Sequence, residues 1–140
     1  AGGDDDITWL EENARDVGVR RAVRLKVAGA FHSPYMQPAR DRLDAALGSV
    51  RFDPTSAPVY ANATARVTED TGASLSEQLT SPVRFAASLE AMDHAGIDTF
   101  IHVGPGDVTA GLVKRTLKDV NVLTVSTVDD ASAIAGQVSV

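Results

Sequence analysis

From Pro82 to Ser126 the chain alternates helix and strand signals, and this alternation limits the fold more than any other feature of the sequence. Pro82 stands at a first helical position behind Ser81, a good N-cap, and Phe85, Leu89 and Met92 recur at helical spacing until Gly96. Asp98–Val103 is rich in β-branched and aromatic residues and reads as a strand. Gly104-Pro105-Gly106 makes a turn and Asp107 lies in the first turn of the next helix. Lys114, Arg115 and Lys118 lie near that helix's end, and Asn121–Ser126 is the last strand. A crossover helix is the short way to return to a parallel neighbour, so the expected class is α/β with a largely parallel sheet.

Upstream, Thr8 and Glu11 form a T-x-x-E capping box, and apolar Trp9, Leu10, Ala14 and Val17 followed by Gly18 predict a helix over Thr8–Val17. Val23, Leu25 and Val27 alternate with Arg24 and Lys26, the pattern of a strand with one buried and one wet face, ending at Gly29. Met36, Ala39, Leu43, Ala46 and Leu47 mark a second helix closed by Gly48. Pro54, Pro58 and Asn62 break any helix between Val50 and Asp70, leaving Pro58–Asn62 extended, and Leu75 and Leu79 mark a brief helical turn. With 140 residues, 44% of them hydrophobic, the chain can bury a core, and its length demands no more than one domain. The opening Ala1-Gly2-Gly3, without Met, reads as a cut start.

Composition removes several function classes. The 13 Lys+Arg against 19 Asp+Glu leave a net charge of −6, which argues against nucleic acid as a partner. No cysteine is present, so disulfides, zinc-thiolate sites and a catalytic thiol are excluded, and a reducing cytoplasm fits. The longest apolar stretches, such as Thr99–Val103 and Val120–Val125, are strand-sized and far short of a membrane span, and no signal peptide is evident. His32, His94 and His102 are not spaced like metal ligands, so no metal is expected. His32, in Gly29-Ala30-Phe31-His32-Ser33-Pro34, falls between a predicted strand and a helix, where α/β proteins place reactive groups. A single loop histidine is nevertheless more often structural than catalytic.

Three blocks in order add to that reading. They are Val27-Ala28-Gly29-Ala30-Phe31-His32-Ser33-Pro34-Tyr35-Met36, then Glu77-Gln78-Leu79-Thr80-Ser81-Pro82-Val83-Arg84-Phe85, then Val103-Gly104-Pro105-Gly106 with Gly111-Leu112-Val113-Lys114-Arg115. Together they are similar to the C-terminal half of malonyl-CoA:acyl-carrier-protein transacylases and of the related acyltransferase domains of polyketide synthases. The resemblance implies that residues 1–28 end a ferredoxin-like small subdomain and that residues 29–140 form the C-terminal part of an α/β-hydrolase-like acyltransferase subdomain. It implies transfer of a malonyl group from coenzyme A to the phosphopantetheine thiol of acyl carrier protein through a malonyl-serine, with His32 as general base. Gln78 is then the residue whose main-chain carbonyl orients the imidazole. Phe31 and Ser33 flank the substrate, Phe31 with a ring that suits malonyl and crowds an α-methyl. No cofactor is implied, the coenzyme A thioester being substrate.

The same resemblance defines what these residues lack. No G-x-S-x-G pattern, the setting of the family's nucleophile, occurs in the sequence. In the family the oxyanion-hole N–H groups and the arginine that clamps the malonyl carboxylate also belong to the earlier segment. The expected partners are therefore malonyl-CoA, acyl carrier protein and an N-terminal half that carries the serine. The alternatives are a fragment of a polyketide synthase acyltransferase domain and a non-catalytic remnant or binding module. Arg20, Arg21, Arg24 and Lys26 form one basic cluster in an acidic chain, and Lys114, Arg115 and Lys118 another. If one of them docks an acidic carrier, charge reversal at Arg20 or Arg21 in the whole enzyme slows transfer to the carrier more than loading from coenzyme A. Stopped-flow comparison of the two half-reactions checks this, and equal effects on both exclude it.

Overall fold

A computed structural model describes residues 1–136, and its first helix begins earlier than the capping signal at Thr8 suggests. Helix α1 spans Asp4–Asn13 with Asp4, Asp5 and Asp6 in its first turn, where carboxylates meet the positive end of the helix dipole. The Gly3 N–H donates to the Asp6 carboxylate at 3.2 Å. Thr8 therefore lies inside the helix, its hydroxyl donating to the Asp4 carbonyl at 2.9 Å. The helix stops short of Val17 in a turn where Gly18 takes φ +79° and the Val19 N–H donates to the Ala14 carbonyl.

The strand expected over Val23–Val27 is not formed, and Val23, Leu25 and Val27 are all exposed. Alternation chooses a face, but a strand exists only where a neighbour takes its N–H and C=O groups, and no described segment pairs with this one. Arg24 instead turns to α1, donating to Asp4 at 2.9 Å, to Glu11 at 3.1 Å and to the Thr8 hydroxyl at 2.8 Å. The glutamate expected in a capping box is thus an ion-pair partner, and Arg24 leaves the basic cluster for an acidic helix.

A 3₁₀ turn at Pro34–Met36 runs directly into α2, Gln37–Leu47, as its apolar spacing predicts. Two-residue strands β1 (Tyr60–Ala61) and β2 (Arg66–Val67) make a short ribbon. Helix α3 then covers Thr71–Thr80 in full, not the brief turn expected, because the Asp70 side chain caps it by accepting from the Ala73 N–H at 2.9 Å. Beyond it come α4 (Phe85–His94), β3 (Thr99–Val103), α5 (Val108–Thr116), β4 (Asn121–Val125) and α6 (Val128–Ala135). These elements fall into two compact units, Ala1–Ala63 with Val67–Val83, and Thr64–Arg66 with Arg84 onward.

In the second unit β3 and β4 pair in parallel, from Thr99 opposite Asn121 to Val103 opposite Val125, with α5 as the connection. Leu89, Val113 and Leu117 are buried together, and Phe85, Phe100, Val120 and Val122 pack against them, so one face each of α4, α5 and the sheet supplies the core. Gly104 and Gly106 hold φ of +136° and +84° in the turn after β3, which accounts for glycine at both positions. The class is α/β, as expected. Helix α4 starts at Phe85 and not at Pro82, since Ser81 is extended (φ −103°, ψ 149°) and caps the end of α3. No described helix is long and apolar enough to cross a membrane.

Helix α6 was not expected from the sequence. Its N-terminus is a reciprocal box in which Asp130 accepts from the N–H groups of Ser126 and Thr127 at 3.0 and 2.9 Å while its own N–H donates to the Thr127 hydroxyl. The bond from Ser126, then those from Thr127, hold the Asp130 carboxyl below its ordinary value. A depressed carboxylate contributes stability above its unfolded value and loses it as pH falls through the folded one. Amide protection factors at α6, taken relative to the intrinsic rate at each pH, should therefore fall in acid below the ordinary carboxylate range while those of β3 and β4 hold, and Asp130→Asn should reproduce this at neutral pH. Hydrogen-exchange mass spectrometry across the pH series checks it.

Candidate active site around His32

The loop that carries His32 is tied to itself before it touches anything else. The Ser33 hydroxyl donates to the Ala30 carbonyl at 2.6 Å, the Met36 N–H donates to the Ser33 carbonyl at 3.0 Å, and Pro34 opens the 3₁₀ turn. Inside this knot His32 takes φ +59°, the left-handed region that costs a non-glycine residue about 1–2 kcal/mol. A single hydrogen bond contributes about 0.5–1.5 kcal/mol net, so one or two of the loop's own bonds are enough to offset that cost. Strain of this kind concentrates at functional sites.

Helix α3 supplies the partner. The last carbonyls of a helix lack intrahelical donors. In α3 the Ser81 N–H still reaches the Glu77 carbonyl, at 3.1 Å. The next donor in the ladder, four residues after Gln78, would come from Pro82, which has no N–H. Proline also disfavours helical geometry at the residue before it, matching the extended Ser81. The Gln78 carbonyl is left without a helical partner, and His32 Nδ1 meets it at 3.0 Å. A carbonyl oxygen only accepts, so Nδ1 carries the hydrogen, and in the neutral ring Nε2 keeps its lone pair. The arrangement is that of a base with a fixed tautomer.

The sequence-predicted residues thus separate in their geometry. His32 and Gln78 meet, through a main-chain atom of Gln78. Phe31 is 50% exposed and lines, with His32, Gly29, Val27, Leu25 and Ile7, an open groove of about 920 Å³. Ser33 is buried and its hydroxyl is held by Ala30, so it closes the loop rather than facing the groove. Among the described residues no serine hydroxyl bonds to His32. His94 ends α4, exposed. His102 lies on β3 with Nδ1 against the Thr109 hydroxyl and a buried Nε2 that has no protein partner among the described residues. No group of three or more His, Asp or Glu that could hold a metal occurs among those residues. Two contributions escaped the sequence reading: the positive φ of His32, which leaves no compositional trace, and Pro82, whose spacing from Gln78 is visible once α3 is known to reach Thr80.

Sequence comparison finds a malonyl CoA-acyl carrier protein transacylase of Bacillus subtilis (strain 168), 41% identical over 123 residues. The chain is similar to the malonyl CoA-acyl carrier protein transacylases. That match takes in 86% of this chain and 39% of the relative, so the chain spans about two fifths of the length of the curated transacylases it matches. The transacylase structure from Streptococcus pneumoniae is similar over 99% of this chain and 46% of its own, with a TM-score of 0.87 and 32% identity. A malonyl-transacylase solved in complex with a type II polyketide synthase acyl-carrier protein is similar over 96% of this chain and 45% of its own, with a TM-score of 0.84 and 26% identity. No family model matches the sequence.

If the main chain and not the side chain of Gln78 orients the imidazole, Gln78→Ala leaves the His32 ring signals unchanged. Pro82→Ala restores an N–H that can continue the helix and compete for the same carbonyl. It should speed exchange of the His32 Nδ1–H about tenfold, the weight of one hydrogen bond. Long-range ¹H–¹⁵N spectra of the imidazole read both variants, and a larger effect from Gln78→Ala would give the role to its amide.

Proposed function

We propose that this chain supplies the general base of a transacylase that moves a malonyl group from coenzyme A to the phosphopantetheine thiol of an acyl carrier protein. The observation that carries the reading is the His32 Nδ1 bond to the Gln78 carbonyl at 3.0 Å, which leaves Nε2 as a proton acceptor beside an open groove. The relation to transacylases supports the substrate class.

In the proposed reaction a serine from outside these residues attacks the malonyl thioester carbonyl as His32 Nε2 takes its hydroxyl proton. Collapse of the tetrahedral intermediate breaks the C–S bond, and His32 returns the proton to the coenzyme A thiolate. In the second half the carrier thiol gives its proton to Nε2 and attacks the malonyl-serine. The serine then leaves as an alkoxide that recovers the proton from His32. At each imidazolium stage the Gln78 carbonyl, with its partial negative charge, faces the charged ring and favours it. Phe31 walls the substrate groove, and Ser33 holds the loop at whose centre His32 sits. Residues 1–28 would close a small subdomain and the remainder belong to the large one. The carrier bound by a similar transacylase is a polyketide one, so fatty-acid and polyketide carriers both fall within the proposed substrate class.

The chain alone, incubated with malonyl-CoA, is expected to show no covalent malonyl adduct by intact-mass analysis. With a serine-bearing transacylase N-terminal segment supplied in trans, acyl loading should appear on that segment. His32→Ala should then slow it by about 10²–10⁴-fold, the range for loss of a general base. Loading that is indifferent to His32, or an adduct on the isolated chain, overturns the assignment.

A further inference from the structure

We infer that Arg40 is a positioning residue that sets the distance between His32 and the Gln78 carbonyl. Arg40 stands on α2, which follows the His32 loop through the 3₁₀ turn without a break. Its Nε donates to the Ser76 hydroxyl at 2.9 Å and its Nη1 to the Thr80 hydroxyl at 3.1 Å. Ser76 and Thr80 are one helical turn apart on α3 and bracket Gln78 from both sides in sequence. Arg40 therefore grips the stretch of α3 whose carbonyl His32 needs. The connections form a closed ring: His32, the tied loop, α2, Arg40, α3, the Gln78 carbonyl, and back to His32 Nδ1.

The chemistry of the grip favours arginine. A guanidinium presents Nε–H and Nη–H in one rigid plane, so two hydroxyls a turn apart are held at once, whereas a lysine ammonium is a point charge on a flexible stem. Ser76 is buried, so without Arg40 its hydroxyl loses a charged donor where water has little access. The nearest acid, Asp44, one turn along α2, lies at 3.9 Å, too far for a hydrogen bond to the guanidinium. The short bonds are thus the ones that cross to α3. Free sliding or tilting of α3 by even half an ångström would lengthen the His32 bond toward the limit of useful hydrogen bonding.

The consequence for acyl transfer rests on the general-base reading of His32, while the positioning itself does not, and the two are read separately. In the full chain, ring ¹H–¹⁵N spectra of His32 should show the Nδ1–H exchanging about tenfold faster in Arg40→Met, the weight of one lost hydrogen bond. Some of the Nε2–H tautomer should appear as well. Arg40→Lys should fail to rescue. The double variant Ser76→Ala/Thr80→Val, which removes the acceptors and leaves the arginine, should do the same, and it serves where Arg40→Met does not fold. Unchanged His32 ring signals in a folded variant of either kind overturn the proposal. With the serine-bearing segment added, kcat for loading should fall about tenfold with KM for malonyl-CoA unchanged. A ring that responds while kcat does not would leave Arg40 as positioning residue and remove the general-base reading.

Discussion

The hydrogen bond from His32 Nδ1 to the Gln78 carbonyl exists because of a residue that takes no part in it. Pro82 lacks the N–H that would close the next rung of α3, and its ring holds Ser81 out of helical geometry. A helix end that would otherwise turn its carbonyls to water offers one to an imidazole. That acceptor fixes the tautomer, and the tautomer decides which ring nitrogen can act as a base. A proton-transfer role for His32 depends on that geometry whatever the substrate.

The loop and the helix solve different parts of the same problem. The loop must hold His32 at a positive φ, at a cost comparable with one or two hydrogen bonds, and it does so with local ties from Ser33 and Met36. The helix must present its carbonyl at a fixed place, and the α2 contact through Arg40, Ser76 and Thr80 provides that. Ser33, adjacent to the histidine, was the natural candidate for a ligand contact in the sequence. Burial and the bond to Ala30 give it a different use.

Legibility followed the range of the interactions. In the second unit the apolar stripe of α4, the β-branched run of β3 and the glycine-bounded turn are local signals that also agree with the core they form. Competing local signals displace element ends by a few residues: Ser81 has the residue type of an N-cap and is the C-cap of the preceding helix. Helix α6 has a local signal of its own, since Thr127 and Asp130 make the kind of box that the spacing of Thr8 and Glu11 suggests and the structure does not form there. The Val23–Val27 segment failed for a different reason, because its alternation is real but strand formation depends on a neighbour that no local pattern specifies.

By itself the sequence determined the α/β class and the parallel pairing of the last two strands, and it singled out His32 and Gln78 as candidates through an ordered set of motifs similar to those of transacylases. Periodicity and turn chemistry are short-range, so they survive reading one residue at a time. Only the tertiary structure decided that His32 Nδ1 and the Gln78 carbonyl meet, that Pro82 leaves that carbonyl open, that Arg40 braces the helix and that Ser33 serves the loop. The His32 and Arg40 contacts join groups 36 to 46 residues apart, and the Ser33 bond and the use of Pro82 depend on the backbone course of a loop and of a helix end, which composition does not show.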